Sequence, residues 1–526
     1  MVVTKKIAVA TVGFTALTLV SKILGFVREM VIAAYFGTSA AADAYQIASA
    51  IPMIIFDSFA IAVALTFVPF YTDILINSGE HEAKEFTRNL AGVMTYLMTT
   101  LTICSLFLAP SIVSIVAPGF TGEKRELAVV LTRIMLPVII FRVWSGIASG
   151  LLNSNQSFFT PAIIGFALNG SIIGMAITFA HSWGISALAW GTFIGIAGMY
   201  LIQLPKAVRL GFKIKLKPAL FDPNIRKLLF FTLPVFFSNA VNQLSNLVDR
   251  MMASSLPTGA ISALTYAQRL NGFVLGIFVV SVATVFFPAM SKLVSEQRIK
   301  EFKEIFSTAI KVVTFLVLPM MVGLIILNAP IVQVLFERGV FDNRATEMTA
   351  SALFMFAFGL IGCSLREILN RVFYSLHDTR TPAINAAMAV GINIILNLFL
   401  IKKMGHTGLA LGTSISASLT VVLLFISLRR KLGSINGWGL ASSFARMFLA
   451  AVGMGIIAYS LNKKLHFMTA DKFGAIINLF VVIVVSGVCY FILAYLLGVK
   501  EVKMVLEKVT SKIYLKRLIP IRRSTL

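Results

Sequence analysis

The sequence predicts an all-α integral membrane protein of about 14 transmembrane helices, arranged as two parallel six-helix repeats plus two extra C-terminal helices. Its 526 residues are 58% hydrophobic and only 13% charged, whereas globular proteins are about one quarter charged. Apolar stretches of about 20 residues, long enough to cross a hydrocarbon core of about 30 Å, recur from end to end. The third observation is a weak internal repeat at a spacing of 221 residues.

The first apolar stretch is interpreted as a retained span rather than a signal peptide. It follows Lys5 and Lys6 and continues past residue 30 without a small-residue cleavage site. The first two spans and the seventh and eighth are long and contain polar residues, unlike helices that face lipid. The predicted spans lie near residues 8–36, 43–72, 88–117, 126–152, 157–181, 183–205, 226–255, 259–291, 305–328, 344–375, 381–401, 407–428, 441–462 and 473–498.

The internal repeat relates the first six spans to the next six. Thr160 and Pro161 recur as Thr381 and Pro382, and Thr192 recurs as Thr413 in the same register. A unit of six spans is even, so both copies have the same orientation, with a substrate site expected between them. The predicted parts are an N-terminal lobe, a basic cytoplasmic linker, a C-terminal lobe, two additional helices and a basic cytoplasmic tail, at residues 1–205, 206–225, 226–431, 432–499 and 500–526.

The formal charge of +24 is distributed as expected for a membrane protein. Basic residues concentrate in 206–227, around 292–303, at 429–431 and in the tail from Lys500. Cytoplasmic loops carry such an excess of Lys and Arg, so both termini and the linker are predicted to be cytoplasmic. The charge therefore indicates contact with anionic membrane lipids rather than with nucleic acid.

No catalytic or metal-binding motif is recognisable. Cys104, Cys363 and Cys489 each lie in an apolar stretch without CxxC spacing, as expected for small buried side chains. A nucleotide-binding loop is missing, so any energy that the protein uses must come from an ion gradient, the membrane potential or a partner. A glycosyltransferase acting on a membrane lipid would need a sizeable extracytoplasmic loop with catalytic carboxylates, and the sequence has none. It predicts neither an enzyme nor a cofactor-dependent protein.

The first span carries the charges on which a functional prediction depends. Lys22, Arg28 and Glu29 lie within it, and Asp43 opens the next span. One ionisable side chain at bilayer depth costs about 2.5–3.5 kcal/mol, so such residues face a protein interior, a partner or water. The repeat places residues 26–29 opposite residues 247–250. These charges predict a polar cavity between the lobes, or alternatively salt bridges that only join the lobes.

Several motifs resemble the MurJ (MviN) family of lipid II flippases, within the multidrug/oligosaccharidyl-lipid/polysaccharide exporter superfamily. They are S-K-I-L-G-F-V-R-E from Ser21, F-G-T-S-A-A-A-D-A-Y from Phe36, Y-A-Q-R-L from Tyr266 and R-V-F-Y-S-L-H-D-T-R-T-P from Arg371. The resemblance covers essentially the whole chain. It implies a flippase that carries undecaprenyl-diphosphate-linked peptidoglycan precursor to the outer leaflet of the bacterial cytoplasmic membrane by alternating access.

The resemblance also implies which residues bind the substrate. Arg28 and Arg269 match cavity arginines of the family, Glu29 and Asp43 match its acids, and Lys22 occupies a position often held by Arg. Where many members have an Arg and a Glu in the second span, this chain reads P-M-I-I-F-D-S-F-A-I-A, so that pair is missing.

The implied sodium ligands are Asp249, Asn393, Asn397 and Thr413, and Na⁺ is the only ion implied. The expected partners are the lipid-linked oligosaccharide, membrane lipids and other cell-wall synthesis proteins. Two alternatives stay open at this point. One is a flippase of the same fold for another polyprenyl-linked glycan, such as teichoic acid or capsule units. The other is a cation-coupled multidrug exporter.

Overall fold

The computed structural model describes residues 2–219, 222–435, 437–466 and 472–502. Within these ranges, the side chains of residues 2–16, 54–57, 237–242, 466 and 472 are not described. Most of the predicted tail 500–526 and part of the connection between the last two predicted spans therefore lie outside the described residues.

Helices make up the secondary structure of the described chain, and no strand occurs in those residues. A π-helix, Leu275–Val279, separates α9 from α10. The α-helices are α1 Val2–Phe36, α2 Ala40–Asn77, α3 Gly79–Val116, α4 Gly122–Met135, α5 Val138–Ser154, α6 Phe159–Trp183, α7 Ser186–Arg209, α8 Pro223–Ser254, α9 Ala260–Val274, α10 Val280–Ser295, α11 Ile299–Ile326, α12 Asn328–Phe336, α13 Asn343–Phe358, α14 Leu360–Ser375, α15 Arg380–Met404, α16 His406–Leu432, α17 Gly437–His466 and α18 Lys472–Leu496.

The predicted all-α membrane fold is confirmed, but the count of fourteen spans is not. In the described residues, eleven helices are long and apolar enough to cross a membrane, or twelve if the bent pair α13 and α14 is one span. The other two predicted spans coincide with α1 and α8, which have 35 and 32 residues but are not among those helices. Both are rich in polar and charged residues. Every predicted span therefore has a helix at its position.

Three predicted spans are interrupted, which the apolar pattern did not indicate. The fourth breaks between α4 and α5 at Leu136 and Pro137. The eighth contains the π-helix. The tenth bends by 46° between α13 and α14. At that bend, a Cβ added to Gly359 would lie only 2.6 Å from the Cα atom of Ser414, so α16 can approach this closely only because the residue is glycine.

The first of two compact units contains residues of both predicted lobes. It comprises Met1–Arg269, Leu335–Thr349 and Val390–Leu409. In this unit α8 packs along α2, and the hydroxyl groups of Thr66 and Thr232 are 2.8 Å apart. Its hydrophobic core includes the fully buried side chains of Ile47 and Phe67 on α2. The division into lobes 1–205 and 226–431 stays a prediction.

The second unit comprises Leu270–Val334, Ala350–Ala389 and Ala410–Leu526. Here α17 packs against α11 and α18. The hydroxyl of Tyr490 on α18 donates a hydrogen bond of 3.0 Å to the carbonyl of Phe315 on α11. The two additional C-terminal helices are thus attached to this unit through α11.

The predicted basic linker is held against α3. The amide of Ala219 donates to Asn89 Oδ1 at 2.7 Å, and Asn89 Nδ2 donates to Asp222 Oδ2 at 3.2 Å. Asp222, the lone acid of this stretch, also accepts from the amide of Asn224 at 2.8 Å and so caps α8. In the part that the structure describes, the linker is therefore an ordered segment that joins α7 to α8.

Asp378, in the R-V-F-Y-S-L-H-D-T-R-T-P motif, caps α15. Its carboxylate accepts from the Thr381 amide at 2.9 Å, from the Thr381 hydroxyl at 2.8 Å and from Lys431 Nζ at 2.8 Å. Burial opposes ionisation of this carboxyl, but the hydrogen bonds from Lys431 and Thr381 outweigh it and lower the pKa of Asp378 to about 2. This part of the motif ties the start of α15 to the end of α16.

Candidate functional site

Arg28 and Glu29 form the centre of a buried charge cluster on α1. Arg28 Nη2 donates to Glu29 Oε1 at 2.6 Å, and Arg28 Nη1 donates to Asn169 Oδ1 on α6 at 3.0 Å. Asn169 in turn donates from Nδ2 to the carbonyl of Ser21 at 3.2 Å. Asn169 is a partner that sequence reasoning missed. It thus links the middle of α6 to the same helix that carries the charges.

Two arginines of the second repeat complete the cluster. Arg269 on α9 places Nε 3.4 Å from Glu29 Oε1 and is half exposed, whereas Glu29 is buried. Arg250 on α8 donates to the carbonyl of Gln46 and interacts electrostatically with Glu29 and Arg269. Three guanidinium groups thus meet the Glu29 carboxylate, and Asp249, next to Arg250 in the sequence, also interacts with Arg250.

The structure thus brings together three of the predicted substrate-binding residues and adds Arg250. Arg28, Glu29 and Arg269 are in contact, as the two ion pairs of Glu29 show. Lys22 is exposed on α1, six residues before Arg28, or about 9 Å along a helix. Whether these residues bind substrate stays a prediction, but their convergence is what the cavity hypothesis requires.

Asp43 lies away from this cluster, in the first turn of α2, and is completely buried. Its Oδ1 accepts from the amide of Ser262 at 2.9 Å and from the hydroxyl of Ser262 at 2.8 Å. Its Oδ2 accepts from the amide of Gly259 at 2.8 Å and from Lys124 Nζ at 2.9 Å. The carboxylate therefore caps the start of α9, where free N–H groups and the helix dipole favour an anion.

The turns beside Asp43 approach so closely that only glycine fits. Gly259 has φ +98°, and a Cβ at this position would lie 2.6 Å from the carbonyl oxygen of Thr38. Gly37 has φ +54° and would place a Cβ 2.8 Å from the carbonyl oxygen of Val340. These contacts place residues 37–42 and 257–260 close together. Together with Asp43 and its partners they form what we call the outer latch, at the helix ends predicted to be extracytoplasmic.

Tyr266 and Lys124 are further members of the outer latch. The hydroxyl of Tyr266, which is fully buried, donates to the carbonyl of Gly37 at 3.0 Å. Tyr266 lies in the Y-A-Q-R-L motif, three residues before Arg269, so the motif itself was the available signal. For Lys124, 81 residues from Asp43, the sequence offers no comparable signal.

The predicted cation ligands form a separate polar group. Asn397 Nδ2 donates to Asp249 Oδ1 at 2.6 Å and to Asn393 Oδ1 at 3.2 Å, and Ser245 Oγ donates to Asn393 Oδ1 at 3.4 Å. Ser245 was not predicted. Thr413 belongs to the second unit, so its position relative to the other three is not described. Among the described residues, no group of three or more His, Cys, Asp or Glu side chains could hold a metal ion.

Comparisons with known proteins agree on one family. The family description "Lipid II flippase MurJ" matches residues 32–499. The probable lipid II flippase MurJ of Buchnera aphidicola subsp. Schizaphis graminum is 32% identical over 493 residues, covering 92% of this chain and 95% of the relative. The lipid II flippase MurJ of Burkholderia cenocepacia is 30% identical over 511 residues, covering 93% and 97%.

Solved structures give the same result. A lipid II flippase MurJ in an inward closed conformation superposes with a TM-score of 0.79 at 29% identity, covering 92% of this chain and 98% of that one. An inward-facing multidrug resistance MATE family transporter of the MOP superfamily superposes with a TM-score of 0.68 at 13% identity, covering 81% and 99%. The second likeness shows a shared fold alone.

Proposed function

The chain belongs to the MurJ family of lipid II flippases, and we propose that it carries lipid II across the cytoplasmic membrane by alternating access around the Arg28–Glu29–Arg269 cluster. This family consists of transporters rather than catalysts. The observation that carries the proposed mechanism is the convergence of arginines from both repeats on one buried carboxylate. Both termini are proposed to be cytoplasmic, as the distribution of basic residues indicates.

The cluster suits a diphosphate. Arginine presents a rigid set of N–H donors that binds phosphate oxygens bidentately, and its guanidinium stays charged at any physiological pH. The cluster has three arginines around the Glu29 carboxylate, and this excess of cationic groups would balance negative charge of a lipid-linked diphosphate. Glu29 holds two of the arginines in place before substrate arrives, and substrate oxygens would replace part of its ion pairing. The predicted lobe-joining salt bridges and substrate binding are thus compatible roles.

Translocation of the anionic head group gains from the membrane potential. One elementary charge moving through 100 mV changes the free energy by about 2.3 kcal/mol. Two negative charges leaving a cell that is negative inside would gain about 5 kcal/mol per 100 mV, reduced by any protein charge that moves with them. The outer latch prevents this movement while it is closed. Its opening is therefore the proposed step that gives the substrate access to the outer leaflet.

The polyprenyl tail must stay in an apolar environment while the head group crosses. The second unit contains a cavity of about 350 Å³ between α11, α17 and α18, lined by apolar side chains such as Leu316, Met320 and Phe491. The tail also needs a lateral opening to the lipid, which we propose is lined by α17 and α18, the two additional helices. We propose that this cavity accommodates part of the tail.

Depletion of the protein in a bacterium that contains it tests the function. We expect undecaprenyl-diphosphate-linked peptidoglycan precursor to accumulate in the inner leaflet, because its exit route is lost. The leaflet distribution is measured by protease- or glycosidase-accessibility of the labelled head group. Accumulation of a teichoic-acid or capsule intermediate instead would support the alternative substrate. Altered drug efflux with no lipid intermediate would support the exporter alternative.

Asp43 is proposed to control the outer latch rather than to contact substrate, since both of its carboxylate oxygens are occupied. Asp43→Asn removes one charge and one hydrogen-bond acceptor. The charged hydrogen bonds that are lost contribute about 1.5–3 kcal/mol, so the equilibrium between the closed and the open latch should shift roughly 10- to 150-fold toward the open form. A cysteine at Thr265, in a protein without its native cysteines, should then react much faster with a membrane-impermeant thiol reagent added outside. Asp73→Asn, at the exposed far end of the same helix, should leave the rate unchanged. Equal rates in the two variants would exclude the latch role.

We propose that a sodium ion is the coupling ion and that Asp249, Asn393 and Asn397 bind it. The family resemblance implies Thr413 as a fourth ligand. One carboxylate with amide and hydroxyl oxygens is a donor set that hard cations accept. In the described arrangement the Asn397 amide nitrogen faces Asp249, so it would have to turn to offer its oxygen to an ion. Cation binding and this hydrogen bond would therefore compete.

Replacement of Asp249 tests the coupling. In proteoliposomes we expect flipping by the unmodified protein to be faster with Na⁺ than with K⁺ outside, and Asp249→Asn to abolish the difference because the anionic ligand is lost. Asn246→Ala, one turn from Asp249 and exposed, serves as the control that keeps the difference. A preference for Na⁺ that persists in Asp249→Asn would contradict the site.

A further inference from the structure

A second cavity of the second unit lies at the helix ends predicted to be cytoplasmic. It has a volume of about 160 Å³ and is lined by residues of α11, α14, α16 and α17, of which α11 and α17 pack against each other. Its walls are mainly apolar and include Ile310, Phe425, Phe444 and Met447. Phe444 is 40% exposed, so the cavity reaches the outer surface of the helices. It shares no lining residue with the apolar cavity proposed for the polyprenyl tail.

Lys311 is a wall residue of this cavity and is partly buried. On the same helix, Lys303 donates to the carbonyls of Leu432 and Ser434 at 2.7 and 2.9 Å and so lies level with the end of α16. Lys311 is eight residues further along α11, which is about 12 Å deeper. In the part of the chain that the structure describes, no carboxylate lies within ion-pair distance of Lys311. An ammonium group at this depth costs about 2.5–3.5 kcal/mol unless an anion is supplied.

The basic residues near this cavity favour an anionic lipid over a neutral one. Arg429 and Arg430 end α16, and α17 has no acidic residue between Gly437 and His466. Basic groups of this kind beside the membrane attract anionic lipids of the cytoplasmic leaflet, by about 1 kcal/mol each. Trp438, at the start of α17, is 88% exposed, and tryptophan prefers the level of the lipid head groups.

We propose that this cavity binds one anionic glycerophospholipid of the inner leaflet. Its phosphate lies at Lys311, with the Ser443 hydroxyl on the same cavity wall as a second donor, and an acyl chain covers Phe425, Phe444 and Met447. Lysine reaches such a phosphate because its long apolar stem extends along the cavity wall while the ammonium stays at the polar end. The lipid would join α17 to α11 and α16. This site is independent of the Arg28 cluster and of lipid II transport.

Native mass spectrometry of the full chain, released from nanodiscs, tests the proposal. With equal amounts of phosphatidylglycerol and phosphatidylcholine, we expect one tightly retained phosphatidylglycerol per chain. Lys311→Gln should reduce that retention by about tenfold or more, because one charged hydrogen bond to the lipid phosphate is lost. Lys311→Arg should preserve the retention. Lys292→Gln is the matched control, because Lys292 is an exposed lysine at the same predicted side of the membrane and outside the cavity; it should change nothing.

Other outcomes overturn the proposal. Equal retention of phosphatidylcholine by the unmodified protein would show that no anion is selected, and this measurement does not depend on the folding of a variant. Displacement by inorganic phosphate alone would assign the site to a free anion. Displacement by undecaprenyl diphosphate but not by excess phosphatidylglycerol would assign it to the transported lipid instead. Retention unchanged in Lys311→Gln would place the bound lipid elsewhere.

Discussion

Arg28→Ala and Arg269→Ala are each expected to abolish complementation of a flippase-depleted strain while the protein still inserts in the membrane. Each substitution removes the charged hydrogen bonds that we propose to the diphosphate, worth about 1.5–3 kcal/mol, or roughly 10- to 150-fold in affinity. It also removes one of the two ion pairs that compensate the buried carboxylate of Glu29. Breaking a buried pair costs about 3–5 kcal/mol, much of it from the charge left behind. This cost applies to Arg28→Ala, and the loss of stability is expected to be smaller for Arg269→Ala because Arg269 is half exposed.

Two further variants separate charge from structure. Lys22→Arg keeps the charge of an exposed residue on the same helix, so it should complement fully, whereas Lys22→Glu should not. Arg28→Ala combined with Glu29→Gln removes the uncompensated carboxylate as well. We expect this double variant to restore protein abundance without restoring flipping, because the arginine proposed to bind the diphosphate is still missing. Full flipping by both Arg28→Ala and Arg269→Ala would refute the role of the cluster.

The helices were predictable because their signal is local. An apolar stretch of about 20 residues identifies a span without knowledge of its neighbours, and each predicted span has a helix at its position. The interruptions at Pro137 and Gly359 and in the π-helix depend on packing with other helices, which the apolar pattern does not contain. The short helix α12, which lies between two spans, was not predicted because its 9 residues are too few to give a periodic signal.

The candidate site was predictable only in part. An ionisable residue inside a span indicates a functional position because of its free-energy cost, and this reasoning found Arg28 and Glu29. It does not reveal the partner that an ionisable group meets. Asp43 and Glu29 are both buried acids near the start of the chain, but one caps α9 at the outer latch and the other pairs with arginines.

Neutral partners were harder still to predict. Asn169 contacts Arg28 across 141 residues of sequence, and an amide in a span is equally typical of helix–helix hydrogen bonding. Ser262 supports Asp43 through its backbone amide as well as its hydroxyl, and a backbone donor carries no sequence signal. The register of the repeat predicted residues 26–29 opposite residues 247–250, but tertiary contacts decided which residues meet, and Glu29 pairs with Arg269.

The central claim is that the outer latch must open for lipid II to cross. Ser39 precedes α2, and Ala260 begins α9, directly beside Gly259, which contacts Thr38. Cysteines at Ser39 and Ala260 should therefore form a disulfide when their Cα atoms come within about 7 Å. Because the bridge would hold the latch closed, the account predicts that oxidation stops flipping and reduction restores it.

The measurement that tests this claim most directly is flipping of fluorescent lipid II in proteoliposomes by the Ser39→Cys/Ala260→Cys protein, before and after reduction. The two single-cysteine proteins serve as controls and should flip equally in both conditions. The account predicts loss of flipping in proportion to the fraction of bridged protein, with full recovery on reduction. Full flipping with the bridge quantitatively formed would contradict alternating access through the outer latch.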